Sequence, residues 1–396
     1  MMQISPETQL FIREHSSDDV RALALQAKKY PDIDMPTAIT QIAGRKVAAE
    51  KIPSWWEIEK IWYPKHLSLE QCSSEITARY KARLLQGDSL TDLTGGFGID
   101  CSFLATGFKS ATYVERQEEL CEIAAHNFPV LNLNHINIKN EDGVTYLQAM
   151  SPVDCLFLDP ARRNEHGGKT VAISDCEPNV AELEELLLQK ANWVMIKLSP
   201  MLDLSLALKE LKQTQEVHIL SVNNECKELL ILLGQTSPTE ISIHCVNLST
   251  KGTQEEQHFV FTREQEQCSE CTYTDSLETY LYEPNASLLK AGAFRSIAAA
   301  YPVRKLHPNS HLYTSDTFIE NFPGRIFRIV NQCSFNKKEV KENLADLKKA
   351  NVTVRNFPAT VAELRKRIHL AEGGDTYLFA STLNNGQKVL IRCEKV

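Results

Sequence analysis

From Leu90 onward the chain alternates short apolar runs with helix-like stretches, and no other feature restricts its fold as strongly. Residues 112–115, 136–138, 155–159, 193–198 and 217–222 read as strands; 117–127, 179–189 and 204–212 read as helices between them. That grammar predicts an α/β domain built on a doubly wound, mostly parallel sheet. After Val222 three strand-like runs follow without helices, at 226–233, 240–248 and 258–262, and antiparallel strands finishing the sheet are expected. The first ~85 residues are helical in pattern instead: Ser5-Pro6, Asp18-Asp19 and Met35-Pro36 each open a stretch of apolar residues at helical spacing.

Three segments at predicted strand ends carry chemistry. In the first, Asp92-Leu93-Thr94-Gly95-Gly96-Phe97-Gly98, the backbone can pass close to a ligand, and the helix that follows offers unpaired N–H groups. A dinucleotide fingerprint fails here, because its third small residue falls on Cys101. An acid ending the first strand and followed by Gly-x-Gly fits an S-adenosylmethionine (SAM) site better. In the second, Glu115 ends the next strand, where a carboxylate can accept both ribose hydroxyls, and Arg116 can pack on an adenine. Asp142 follows the third strand, placed either to accept from an adenine amino group or to cap the helix near Val144. The third segment is Asp159-Pro160-Ala161-Arg162-Arg163. An Asp-Pro turn at a strand end can hold a nitrogen nucleophile in line with a sulfonium methyl, and Arg162 beside it suits a phosphate or a base.

Taken in order, Asp92, Gly96-x-Gly98, Glu115, Asp142 and Asp159-Pro160-Ala161-Arg162 resemble a class I SAM-dependent methyltransferase. Further stretches are similar to a bacterial group of these enzymes with a THUMP-like C-terminal domain: Trp55-Trp56, the run from Tyr63 to Glu75, Ile196-Lys197-Leu198-Ser199-Pro200, and Arg355-Asn356-Phe357-Pro358. The resemblance implies a Rossmann-like methyltransferase domain over 67–265 after a helical region at 1–66. A small ferredoxin-like module at 276–320 and a THUMP-like domain at 321–396 are then expected, both α+β. Thr94, Gly95 and Phe97 join the implied cofactor loop, and Pro160 and Lys197 join Asp159 and Arg162 at the implied catalytic centre.

Departures from related patterns narrow the chemistry. Asp-Pro-Ala-Arg lacks the aromatic residue of adenine-amino methyltransferases that would stack a flipped base. It is also similar to uridine-C5 methyltransferases, but their nucleophilic cysteine is replaced here by the run Lys197-Leu198-Ser199-Pro200. An unactivated serine hydroxyl is almost wholly protonated at neutral pH, so covalent pyrimidine chemistry is disfavoured. Transfer to a base nitrogen remains, with Asp159 as orienter or base.

Charge suggests the acceptor. Residues 287–396 hold 18 of the 43 Lys and Arg but only 9 of the 51 Asp and Glu, so a basic C-terminal third follows an acidic body. The excess reads either as an RNA-binding sector (tRNA or rRNA) or as solvated helix faces. Lys337 and Lys341 on one predicted helix, Arg365 and Lys366 on the next, and Arg325 and Arg328 on a strand are the candidate phosphate contacts. A methyltransferase of small molecules or proteins, or a non-catalytic RNA-binding protein that holds SAM, are the competing readings. Eleven cysteines scattered through apolar runs suggest reduced thiols in a cytoplasmic protein. Cys268 and Cys271 form a single CxxC that would need His258 or another distant ligand to hold zinc, so no metal is expected. No apolar run is long enough to span a membrane. The oligomeric state is not legible in the sequence.

Overall fold

The computed structural model describes residues 4–162, 172–236, 238–250 and 256–396. Contacts divide the chain into two compact units, Met1–Gln215 with Leu229–Thr239, and Glu216–Glu228 with Glu240–Val396. Among the described residues no helix is long and apolar enough to cross a membrane. All eleven cysteines are free thiols.

The first unit opens with helices α1 (Pro6–Glu14), α2 (Val20–Leu25), α3 (Met35–Lys51), α4 (Pro53–Trp56), α5 (His66–Gln71) and α6 (Glu75–Ala82). Side-chain caps start the first three: Ser5, Asp19 and Asp34 each accept from backbone N–H groups of the first turn. The seventeen-residue α3 works at both ends. Its start packs Ala38 and Ile42 against Phe11 and Leu23, while its end adds Ala48 to a core that also holds Trp55, Tyr63, Phe97, Ile99 and Ile123. The N-terminal helices therefore share a core with the segment that carries the glycine loop.

Next come β1 (Gly87–Asp92), α7 (Ile99–Leu104), β2 (Phe108–Glu115), α8 (Glu118–Val130), β3 (Ile136–Asn140), α9 (Gly143–Ala149) and β4 (Val153–Leu158). Then follow β5 (Ala161–Arg162), β6 (Cys176–Glu177), α10 (Val180–Lys190), β7 (Ala191–Leu198) and α11 (Leu204–Glu210). The strands β7-β4-β1-β2-β3 lie side by side, and they are parallel as the alternating pattern leads one to expect. Leu156, Phe157 and Leu158 are all buried, as a central parallel strand covered on both faces requires. The unit division falls within β8 (Thr214–Val222) and β9 (Glu225–Gly234). Residues Leu229 to Gly234 of β9 pair antiparallel with β7.

In the second unit β8 pairs with β10 (Ser242–Leu248), and β10 with β11 (Gln257–Thr262). Only part of the antiparallel expectation holds, since β10 runs parallel to β8. The return through β9 restores the chain direction, so the third run re-enters the way the first did. The expected strand at 258–262 is β11; the polar stretch from there to Glu278 suggests a linker or long loop but holds α12 (Arg263–Cys268), closed by a Thr262–Gln265 capping box.

A second sheet follows, ordered β13-β14-β12-β15-β18-β17-β16. Its elements are β12 (Tyr280–Pro284), α13 (Ala286–Ala291), α14 (Ser296–Ala300), β13 (Arg304–Lys305), β14 (Tyr313–Ser315), β15 (Gly324–Ser334), α15 (Lys337–Leu344), β16 (Asn351–Val354), α16 (Val361–Ile368), β17 (Thr376–Thr382) and β18 (Lys388–Lys395). The sequence suggests a βαβ unit across 280–314, but β12 and β14 are antiparallel. The short strand β13 accounts for the difference: it pairs antiparallel with β14 and turns the chain back before it reaches β12. Asn384-Asn385-Gly386 closes the β17–β18 hairpin, with Gly386 at φ 86°.

Candidate functional site

Asp92, Glu115 and Asp159 stand at or just past the carboxyl ends of β1, β2 and β4, three neighbouring strands in the order β4-β1-β2. Backbone and side-chain hydrogen bonds stitch these ends together. Asp92 Oδ1 accepts from Thr94 N at 2.9 Å, and the Thr94 hydroxyl accepts from Asp159 N at 2.6 Å. Leu93 N donates to Phe157 O at 3.0 Å and Gly95 N to Val114 O at 2.9 Å. Burial pushes the Asp92 carboxyl well above the usual carboxylate range, and the nearby acids Asp100, Asp159 and Glu115 push the same way.

The glycine loop hangs on Glu115. Its Oε2 accepts from Gly96 N at 2.9 Å and its Oε1 from Gln117 N at 2.8 Å. A carboxylate has about four lone-pair sites, so both oxygens retain acceptor capacity. Tyr113 donates to Gly96 O at 2.5 Å. A Cβ on Gly95 would lie 2.3 Å from the Tyr113 ring, so the loop rests directly on that ring. Gly96, at φ 55°, is different: a Cβ there would meet nothing nearer than Thr94 O at 3.8 Å. The outward side of the loop is thus open space, and Phe97 anchors the inward side against Trp55, ring centroids 5.2 Å apart.

Asp159 belongs to a buried ionic network. Lys197, the penultimate residue of β7, places Nζ 2.5 Å from Asp159 Oδ2, 3.3 Å from Asp100 Oδ2 and 3.1 Å from Ser73 Oγ. Lys81 on α6 reaches Asp100 Oδ1 at 2.9 Å and Ser73 Oγ at 2.8 Å. The two acids respond in opposite ways. Burial works to raise Asp100, but Lys81, Lys197 and the Ser73 hydroxyl overcome it and hold the carboxyl at about 2. For Asp159 burial wins over Lys197, and the carboxyl moves up. Its side chain nevertheless keeps 36% of its surface, against 10% or less for Lys81, Asp100 and Lys197. One member of a closed network therefore faces outward.

Ser73, Lys81 and Asp100 were not among the expected site residues. Lys81 did leave a signal, since it shares α6 with buried Thr77, Ala78 and Tyr80, where a lysine needs a buried partner. Of the expected residues, Asp142 acts as N-cap of α9, its Oδ1 accepting from Val144 N at 3.1 Å and Thr145 N at 3.0 Å. Arg116 is exposed and lies 3.5 Å from Glu177 Oε1. Pro160 is buried beside Asp159. The backbone of Arg162 lies in β5, but its side chain and the whole of Arg163 lie outside the described residues.

The basic residues of the second unit separate into two kinds. Lys337, Lys341 and Lys366 are exposed on α15 and α16. Arg325 donates through Nε to Glu283 Oε2 at 2.9 Å, and Arg365 donates to Ala350 O at 3.2 Å with 18% of its side chain exposed. Arg328 is exposed but paired with Glu394 at 2.8 Å. Leu344 and Leu364 turn these helices onto the sheet, together with Val340 and Ile368; Val361, whose helical spacing to Leu364 and Ile368 predicts the same face, is exposed instead.

Comparison with known proteins adds an independent line. A family described as a ferredoxin-like domain matches residues 280–323, and one described as THUMP domain-like matches residues 324–395. The crystal structure of a candidate methyltransferase from Porphyromonas gingivalis W83 is similar over 100% of both chains, at 34% identity and a TM-score of 0.88. An rRNA methylase from Streptococcus thermophilus matches 40% of this chain and 93% of its own, at 14% identity and a TM-score of 0.29. A candidate methyltransferase from Streptococcus mutans, solved in complex with SAH, matches 40% of this chain and 96% of its own, at 12% identity and a TM-score of 0.30. The last two overlaps are too slight to bear on this chain. No curated protein matches its sequence significantly.

Proposed function

The chain belongs to the class I methyltransferase group that carries ferredoxin-like and THUMP-like domains at its C-terminus, and we propose that it methylates a nitrogen of an RNA base (tRNA or rRNA) with SAM as donor. The observation that carries this reading is the single outward carboxylate, Asp159, fixed by Lys197 beside a glycine loop whose outer side is open. Bound SAM supplies a methyl carbon on a cationic sulfur, open to attack by a nitrogen lone pair.

The residues at the strand ends fit such a ligand. Asp92 offers a desolvated acid to an ammonium group, the Thr94–Gly98 loop leaves room for an amino-acid tail, and Glu115 keeps lone pairs for two hydroxyls. Asp142 has an oxygen beyond its capping Oδ1 for an adenine amino group, and Arg116, which follows Glu115 in the sequence and is exposed, is a further nucleoside contact. On the acceptor side Asp159 receives a hydrogen bond from the base N–H, which aims the nitrogen lone pair at the methyl carbon. The proton that the base nitrogen gives up on methylation would pass to Asp159 or to water. Burial already raises the proton affinity of this carboxylate, which suits it to that role. Lys197 holds the carboxylate in position and Pro160 stiffens the turn that carries it, with Arg162 as a contact for the acceptor.

RNA as acceptor is supported by the THUMP-like match and by the exposed lysines of α15 and α16. The test is transfer from methyl-labelled SAM to total cellular RNA, followed by nucleoside mass analysis. Label in one nitrogen-methylated nucleoside is expected. Label confined to protein or metabolite fractions would overturn the acceptor, and absence of SAM binding by calorimetry would overturn the site.

A further inference from the structure

Away from the strand-end site, the second unit gathers three histidines and a glutamate on one sheet face. His218 on β8 and His244 on β10 are register partners in a parallel pair, so their side chains share a face, and Glu216 precedes His218 by one pleat repeat on that face. On β11, His258 pairs with Val246, which puts it on the same side, diagonal to His244. The rings of His218 and His244 stack at 4.3 Å, and those of His244 and His258 at 5.3 Å.

We propose that Glu216, His218 and His244 bind one divalent transition-metal ion of the zinc type, with His258 orienting His244 from outside the ligand shell. Glu216 Oε2 lies 3.1 Å from His218 Nε2 and 3.9 Å from His244 Nε2, and the three ligand atoms fall within 4.8 Å of one another. Tetrahedral zinc with bonds of about 2.0–2.1 Å sets its ligand atoms about 3.3 Å apart, so only small side-chain adjustments separate the cluster from that geometry. Two imidazoles and one carboxylate form a borderline donor set that suits zinc and its neighbours and not calcium or magnesium.

The outer partner is also of the required kind. His244 Nδ1 lies 3.1 Å from His258 Nε2. If Nδ1 donates that hydrogen bond, Nε2 of His244 is the lone-pair nitrogen and points toward Glu216, the arrangement metal-binding histidines commonly show. Three protein ligands leave a fourth position for water. The ion would pin β8 to β10, two strands that only β9 separates in the sequence. The three histidines carry no compact spacing motif, which explains why the sequence suggests no metal.

The experiment uses full-length protein stripped with a chelator and titrated with Zn²⁺ alone against a chromophoric competitor, with metal content by mass spectrometry. One zinc per chain is expected, together with a rise in melting temperature. His244→Gln and Glu216→Gln change partly exposed side chains and should each weaken zinc at least about 100-fold; His258→Gln should weaken it about 10–100-fold, the usual cost of an outer-shell partner. Circular dichroism and the zinc-free melting temperature establish that each variant is folded, and the pair of exposed variants stands in for His218, whose replacement endangers the core. Failure of the wild type to retain zinc at micromolar concentration would overturn the proposal. So would unchanged affinity in His244→Gln, or loss of zinc in Cys268→Ser/Cys271→Ser instead.

Discussion

Each unit buries an ionic cluster, and the two are built to different ends. In the first, Lys81 and Lys197 face Asp100 and Asp159, and one of the four, Asp159, keeps more than a third of its surface. In the second, Glu283 is 2% exposed and both its oxygens are taken, Oε2 by Arg325 and Oε1 by Arg355 at 3.1 Å. That cluster ties β12 to β15 and to the segment after β16, so it joins the ferredoxin-like and THUMP-like parts of one sheet. The difference is where the solvent-facing surface lies. The second cluster exposes its cations and hides its acid, whereas the first hides its cations and exposes an acid whose proton affinity burial has raised. Buried charge alone is thus a poor marker of a site; a desolvated acceptor with an opening in front of it is a better one.

The largest expected effect separates the clusters by function. Asp159→Ala should lower methyl transfer by about 10²–10⁴-fold while SAM affinity by calorimetry stays within a few fold, as the role proposed for it on the acceptor requires. Glu283→Gln should leave the turnover of folded protein unchanged. Equal losses in both variants would erase the distinction. Stability comes next. Lys81→Met strands Asp100 in a buried site with Lys197 as its remaining cation, and should cost about 3–5 kcal/mol in denaturant unfolding. Glu283→Gln should cost less, about 1–3 kcal/mol, because Arg325 and Arg355 are about one-third exposed and can rehydrate.

The same contrast accounts for what was legible in the sequence. Asp92, Glu115 and Asp159 could be located because each follows a predicted strand, and a strand end needs only local pattern to be recognised. The parallel sheet was legible for the same reason. Lys81 and Asp100 were not, since their pairing depends on α6 packing beside α7, a tertiary fact. Arg325 and Arg365 read as outward cations because strand alternation and helix spacing assign a face but not a partner; Glu283 and the Ala350 carbonyl claim them. The order strand–helix–strand across 280–314 fits a parallel or an antiparallel pair equally, and only the brief β13 decides between them.

A pH scan sharpens the comparison further. Asp100 is held at about 2 in the folded protein, below its ordinary value near 3.9. Its ion pairs therefore stabilise the fold fully above about pH 4, and that stability is lost as pH falls from there toward 2. The urea midpoint of the wild type should drop more steeply across this window than that of Asp100→Asn. Parallel slopes would show that the ion pairs of Asp100 do not govern acid stability. Asp92 and Asp159, shifted the other way, lose stability as pH rises above the ordinary carboxylate range, and so leave that window's sign unchanged.

The smallest effect concerns the exposed cations. Lys337 and Lys338 occupy the first turn of α15, where positive side chains oppose the helix dipole and each costs about 0.3–1 kcal/mol at most. A stable fold gains nothing from them, but a phosphate does: the helix start and the lysines attract it together. Lys337→Gln/Lys338→Gln should therefore weaken RNA binding several-fold, with the slope of log affinity against log salt shallower by about 2, while the melting temperature holds or rises slightly. Arg328→Gln should change that slope little, since Glu394 already neutralises the guanidinium. Arg365→Gln should lower stability and leave the slope alone. If all three variants lost affinity in proportion to their loss of stability, the basic face would be scaffold, and the second unit would have no claim to the RNA.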